Sequence, residues 1–309
     1  MTEKIALLFP GQASQYVGMG KELYESFSSA RDIFKRADEA LGFDISKLCF
    51  EGPEEKLKQT EFTQPSILLV SIAVWAVAAE HGVKPSMAAG HSLGEYSALA
   101  AAGAIQFEDA IKLVKTRGRF MQEAVPEGVG AMAAILGMEK EKIEEALSTI
   151  SDGLVSVANY NSSKQIVISG KKESVEKAVE TLKNAGLRKA VMLPVSAPFH
   201  CAMMKPAEER LSPLLDSTKF ADPAFPVFAN VDTSEIRAGA EAREKLKLQV
   251  SRPVMWEQSI LKMQDAGVQL FIEVGPGRVL SGLVRQILPD AKIFNIEDKK
   301  SLEKTLSSL

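Results

Sequence analysis

The run Met87-Ala88-Ala89-Gly90-His91-Ser92-Leu93-Gly94-Glu95-Tyr96-Ser97-Ala98-Leu99-Ala100 constrains the fold of this chain more than any other. Its short apolar entry predicts a strand, Gly-x-Ser-x-Gly predicts a tight turn, and the alanine-rich exit predicts a helix that a glycine closes. A turn this sharp strains its central residue, and glycines two positions to either side leave room for the backbones that pass it. The serine oxygen is thereby expected above the N-terminus of the following helix, where free N–H groups and the helix dipole favour a developing negative charge. Ser92 is the candidate nucleophile, and the alternative is an ordinary turn at a sheet edge.

Around this turn the pattern alternates between strand and helix. Lys4–Phe9 reads as a buried strand stopped by Pro10-Gly11-Gln12. Leu23, Phe27, Ala30, Phe34, Ala37 and Leu41 recur at helical spacing and predict one amphipathic helix ended by Gly42. A nearly all-apolar helix is expected from Pro65, a favoured first-turn residue, and another from Phe107 to Val125. After Pro126-Glu127-Gly128 the style changes. Strand Ala131–Leu136, helix Lys140–Ile150, strands Leu154–Ala158 and Gln165–Ser169 around a turn at Asn159–Lys164, helix Glu173–Ala185 and strand Lys189–Val195 make a βαββαβ order, that of a ferredoxin-like module. Beyond Pro198 come more helix, strands at Phe225–Asn230, Gln269–Val274 and Lys292–Ile296, a helix at Ser281–Leu288 and a last short helix. The large part is therefore α/β, with a smaller module inserted into it.

The totals narrow the function classes. With 309 residues the chain suits one large domain carrying an insertion, and its 46% hydrophobic content supplies a substantial core. A net charge of −3 with mixed signs gives no reason to expect a general affinity for nucleic acid or membrane. The longest apolar run, Ile67–Ala79, falls short of the ~20 residues of a membrane span, and Lys4–Phe9 is too short for a signal peptide core. Cys49 and Cys201 make neither a disulfide framework nor a zinc-ligand spacing, and no metal site is expected. These readings place the chain in the cytoplasm.

A serine nucleophile needs a base, usually histidine. Among the 3 histidines, His81 ends a helix, where a cation is welcome anyway. His91, beside the serine, reads as a packing residue. His200 follows a strand end in the stiff loop Val195-Ser196-Ala197-Pro198-Phe199-His200 and is the candidate base. Cys201 has no elbow of its own and is not expected to react. Arg117 has Leu113, Val114, Phe120 and Met121 as its helical neighbours, so it lies on an inward face and must find an anion. That anion is either a structural carboxylate or a substrate carboxylate held at two points. Gly275-Pro276-Gly277 lacks the Gly-Lys-Ser/Thr of a phosphate loop and reads as a turn. Chain order disfavours a plain hydrolase: no histidine follows His200, no HGGG loop precedes the elbow, and Asp152-Gly153-Leu154 falls in the small module.

A set of motifs in fixed order is more specific than any of these alone. Phe9-Pro10-Gly11-Gln12, Gln64-Pro65-Ser66, Gly90-His91-Ser92-Leu93-Gly94-Glu95-Tyr96, Arg117-Gly118, Asn159-Tyr160-Asn161-Ser162, Pro198-Phe199-His200, Gln249 with Pro253-Val254-Met255-Trp256, and Glu273-Val274-Gly275-Pro276-Gly277 occur in turn. In this the chain resembles, over its full length, the malonyl-CoA:acyl carrier protein transacylases of bacterial type II fatty-acid synthesis and the acyltransferase domains of polyketide synthases. The resemblance implies a hydrolase-like α/β subdomain with a central, mainly parallel sheet from residues 1–127 and 197–309, and a ferredoxin-like subdomain from 128–196. It also implies that Ser92 carries a malonyl ester and that His200 is base and then acid. The N–H groups of Gln12 and Leu93 would form the oxyanion hole, Arg117 would hold the malonyl carboxylate, and the main-chain carbonyl of Gln249 would orient His200. Gln64, Met121, Phe199 and Asn161 would line the substrate site, Phe199 as a bulky selector for malonyl, although Ala197-Pro198 departs from that pattern. The substrates would be malonyl-CoA and a phosphopantetheinyl carrier protein of acidic character, with no bound cofactor and a monomeric enzyme. Arg188, Lys189 and Arg285 are candidates for a basic patch facing the carrier. The alternatives are a serine acyl hydrolase or thioesterase, and a non-catalytic carrier-binding subunit.

Overall fold

A computed structural model describes residues 3–150, 154–195 and 197–309; Asp152-Gly153 and Ser196 lie outside the described residues. Strand β1 (Lys4–Phe9) is followed by α1 (Lys21–Ser26) and α2 (Ser28–Leu41). The single helix expected from Leu23 to Leu41 is thus two. Phe27 is extended (φ −126°, ψ 131°) and caps both, its N–H on Leu23 O and its carbonyl receiving Arg31 N. Its ring meets His81 edge-on at 5.6 Å, so the apolar rhythm runs through a break in the backbone. Two short helices, α3 (Ile45–Glu51) and α4 (Glu54–Leu57), were not expected.

Helix α5 (Thr60–Glu80) begins five residues before Pro65, not at it. Proline inside a helix forfeits one backbone bond, and here Thr63 Oγ1, 2.6 Å from Leu57 O, fastens the turn ahead of it. By length and composition α5 is apolar enough to cross a membrane, longer than its apolar run suggested, yet most of it is buried inside the protein. It packs chiefly against α2 and against the helix Phe107–Glu123. The strand and helix of the serine turn follow as β2 (Met87–Gly90) and α6 (Gly94–Ala101), then α7 (Phe107–Glu123).

The middle of the chain gives β3 (Gly130–Leu136), α8 (Lys140–Ser148), β4 (Val155–Ser162), β5 (Gln165–Lys171), α9 (Lys172–Asn184) and β6 (Lys189–Met192). They form an antiparallel sheet of order β4-β5-β3-β6 in the βαββαβ sequence expected. The turn foreseen at Asn159–Lys164 is mostly strand. Val254 draws it in, donating to Ala158 O and accepting from Tyr160 N, a long-range pairing that local turn propensity does not register.

The remainder is α10 (Lys205–Ser217), β7 (Val227–Phe228), β8 (Glu235–Ile236), α11 (Gly239–Gln249), α12 (Trp256–Asp265), β9 (Val268–Val274), α13 (Val279–Ile287), β10 (Lys292–Ile296) and α14 (Lys299–Leu306). The large sheet runs β10-β9-β1-β2-β7-β8, parallel except for β8. Alternation along β1 divides its core: Leu7 and Phe9 face the α5 side, while Ala6 and Leu8 face Trp256. Alternation along β3 does the same for the small sheet. Ala131, Ala133 and Ile135 pack in its own core, whereas Met132 and Ala134 join the core of the large part.

Candidate active site

The turn after β2 is built by close approach. A Cβ at Gly90 would stand 1.8 Å from Gly94 O, and one at Gly94 only 2.1 Å from Phe9 O. Ser92 between them is left-handed at φ 54°, and so are Ala13 (φ 82°) and His200 (φ 57°). Such conformations cost non-glycine residues ~1–3 kcal/mol each and persist only where the surroundings enforce them. Asn230 does much of the enforcing: its Oδ1 accepts from Ser92 N (2.8 Å) and its Nδ2 donates to Gly90 O (2.7 Å).

His200 meets the serine, with Nε2 2.7 Å from Ser92 Oγ. Its Nδ1 lies 2.9 Å from the main-chain oxygen of Gln249. Since a carbonyl only accepts, Nδ1 carries the proton and Nε2 is the free lone pair facing the hydroxyl. Gln249 is the last residue of α11. Its carbonyl therefore belongs to the helix end that lacks internal donors, at the negative pole of the dipole. Burial first, and the Arg117 guanidinium second, press the imidazole down to about 3. At neutral pH it is in its basic form.

Arg117 is 1% exposed and sits on the inward face of α7. Gly118 permits that depth, because a Cβ there would lie 2.5 Å from Thr60 O of α5. The guanidinium gives Nη1–H to Gln64 Oε1 (2.7 Å) and Nη2–H to Gln249 Oε1 (2.9 Å) and to Ser92 Oγ (3.2 Å). All three acceptors are neutral, and among the described residues no carboxylate pairs with Arg117. The structural-carboxylate alternative is thus not met by direct contact: the buried Glu95 is reached only through the Gln249 side chain, whose Nε2 donates to its Oε2 at 2.7 Å.

Gln12 and Leu93 line the same pocket as Ser92, Arg117 and His200, with Met121 and Phe199 in its apolar wall. Among the described residues no hydrogen bond from Gln12 N or Leu93 N to another protein atom is seen. Gln64 touches Met121 as well, its Nε2 3.8 Å from the sulfur. Asn161 is placed differently. It lines an adjoining cavity rather than the serine pocket, and its Oδ1 is engaged by His91 Nε2 at 2.9 Å. His91, packed on Trp256, is the supporting residue it was read as. Cys201 is buried with its thiol on Pro198 O (3.1 Å), and burial raises its pKa, so it is no thiolate. His81 caps its helix through Val77 O, and Gly275–Gly277 is a turn.

Two functional neighbours escaped the sequence reading. Asn230 lies just past β7, at the carboxyl edge of a parallel strand where such sheets bind ligands. Glu95 follows the elbow on a helix of alanines, and it carried the signal that betrayed Arg117, a charge among apolar neighbours.

A strained serine elbow at the carboxyl edge of a parallel sheet, with its imidazole held by a main-chain carbonyl, is equipped for acyl transfer through a serine ester. The chain belongs to the acyl transferase domain family, whose profile matches residues 6–301. The malonyl CoA-acyl carrier protein transacylase of Bacillus subtilis is 47% identical over 308 residues, 99% of this chain and 97% of the relative. That of Escherichia coli K12 is 47% identical over 287 residues, 92% of this chain and 93% of the relative. Among solved structures, the transacylase of Clostridium perfringens superposes with a TM-score of 0.96 at 48% identity, covering 99% and 96% of the two chains. A malonyl-transacylase in complex with its type II PKS acyl-carrier protein gives 0.96 at 44% identity, covering 99% and 100%.

Proposed function

We propose that this chain transfers a malonyl group from malonyl-CoA to the pantetheine thiol of an acyl carrier protein, through an ester on Ser92. The observation that carries the reading is Arg117: a buried cation 3.2 Å from the nucleophile whose hydrogen-bond acceptors among the described residues are all neutral. A buried charge left unpaired is costly, and a substrate carboxylate relieves that cost. The N–H now given to Ser92 Oγ and the second Nη1 N–H are the pair such a carboxylate would take, freeing the hydroxyl to react.

In the first half-reaction His200 Nε2 takes the Ser92 proton as Oγ attacks the thioester carbonyl. The oxyanion is met by Gln12 N–H and Leu93 N–H, donors worth ~3 kcal/mol apiece in such a role. Collapse expels the CoA thiolate, which takes the proton from His200. The second half runs the same steps in reverse with the carrier's thiol. The imidazolium is stabilised by the C-terminus of α11 instead of a carboxylate. No bound cofactor takes part. The remaining features of the proposal are a monomer, a cytoplasmic setting, service in fatty-acid synthesis, and an acidic carrier met by exposed basic residues such as Arg188, Lys189 and Arg285.

Labelled malonyl-CoA tests this directly. Wild type is expected to hold label on Ser92 until carrier protein is added, and Ser92→Ala to hold none while remaining folded. Rapid release of free malonate would make it a hydrolase, and absence of label a binding subunit. Either outcome overturns the proposal.

A further inference from the structure

Glu95 is fully buried on α6, yet it lines neither of the cavities beside the elbow. Its Oε2 accepts from Asn230 N (3.0 Å) and from Gln249 Nε2 (2.7 Å), while Oε1 has no partner among the described residues. The Gln249 amide spans from this carboxylate to the guanidinium. On one side Nε2 also donates to Ser92 O (2.8 Å), and on the other Oε1 accepts from Arg117 Nη2 (2.9 Å). Arginine offers only N–H groups, whereas the carboxylate and the serine carbonyl only accept. The amide can therefore sit only one way round.

We propose that Glu95 is a positioning residue for acyl selectivity: through the Gln249 amide it holds the Arg117 guanidinium in the bearing that recognises a substrate carboxylate. This rests on the malonyl reading above. Without the acceptor at Oε2 the Gln249 Nε2 loses its shortest hydrogen bond and keeps only Ser92 O (2.8 Å) and the long contact to Asn230 Oδ1 (3.5 Å), so the amide is freer to turn its N–H groups toward those of Arg117. The guanidinium then keeps Gln64 and swings to the remaining acceptors. Burial pushes the Glu95 carboxyl up to about 7. A proton there has a place on Oε1, the oxygen without a partner, so Oε2 accepts in either state.

The test is the ratio of malonyl to acetyl kcat/KM, measured with CoA thioesters on the full chain, together with Tm for each variant. E95Q can keep a carbonyl oxygen at the Oε2 position and is expected to hold the ratio within about threefold of wild type. E95D withdraws the acceptor by one methylene and E95A deletes it. Both are expected to lower the ratio at least about tenfold, through a malonyl KM that rises well beyond any change in the acetyl constants. A role confined to folding would slow both substrates alike and follow Tm. An unchanged ratio in folded E95D or E95A overturns the proposal, as does an E95Q ratio that collapses with theirs. If E95A fails to fold, E95D and E95Q decide. Arg117→Ala in the same series separates the two readings, since a ratio indifferent to that change removes the malonyl reading itself.

Discussion

At the scale of single residues the site is a set of charges with unequal claims on one another. Arg117→Ala should cut malonyl transfer about 100-fold or more, the effect of losing a buried charge-assisted pair, while acetyl transfer falls little or rises. Arg117→Lys should rescue only in part, because an ammonium cannot make the planar two-point contact. Steady-state kinetics with both thioesters decide this, and equal slowing of the two would make Arg117 a structural residue. His200 leaves a mark on stability. Its folded value of about 3 lies below the ordinary 6.5, so between these values the unfolded chain binds a proton that the folded chain refuses. Its contribution is present above about 6.5 and is lost as pH falls toward 3. Urea midpoints at pH 7.5 and 5 should therefore drop further for wild type than for His200→Ala, and equal drops would refute the burial argument. Cys201→Ala should keep most activity, as a protonated, buried thiol has no part in the chemistry. Ser92, His200 and Arg117 were legible in the sequence because each breaks a local rule: a serine in a glycine turn, a histidine after a stiff loop, a charge on an apolar face. Asn230 was not, because its task is defined only by the strand lying beside it.

At the scale of elements, sequence periodicity located most strands and helices but misjudged where they stop. The α1–α2 break and the early start of α5 are both cases in which a side-chain contact accompanies a backbone choice: the distant His81 ring against Phe27, and the local Thr63 hydroxyl on the turn before Pro65. The elbow mixes the two cases: Gly90 is dictated by Gly94 four residues on, whereas Gly94 is dictated by Phe9 of the neighbouring strand. Gly90→Ala should cost more than ~3 kcal/mol, because the obstructing atoms are backbone and cannot move aside. Gly103 is the matched control, left-handed at φ 73° with nothing within 4 Å of an added Cβ. Gly103→Ala should cost only ~1–2 kcal/mol, the price of handedness alone. Comparable urea midpoints for the two variants would mean that the crowding at Gly90 is relieved by a shift of the turn.

At the scale of the whole molecule, the order of elements told that a second sheet is inserted, but not how firmly it is joined. The join is extensive: Met132, Ala134, Ala158 and Val167 share the large core, Ser162 Oγ reaches Gln286 (2.8 Å), and Ser163 N reaches Glu257 (2.6 Å). The two sheets should therefore unfold in one transition. Trp75 and Trp256 both lie outside the inserted sheet, so fluorescence follows the large part while far-ultraviolet dichroism follows the whole chain. Superimposable urea curves are expected, and a separate dichroism phase would show the small sheet melting alone. The same threading sets a clock on synthesis. The hydroxyl of Ser92 waits 108 residues for its imidazole, and the imidazole another 49 for the carbonyl that holds its proton in place. A ribosome-bound chain that has exposed the elbow but not yet α11 lacks the fixed base, and is therefore expected to take up acyl label far more slowly than the released protein.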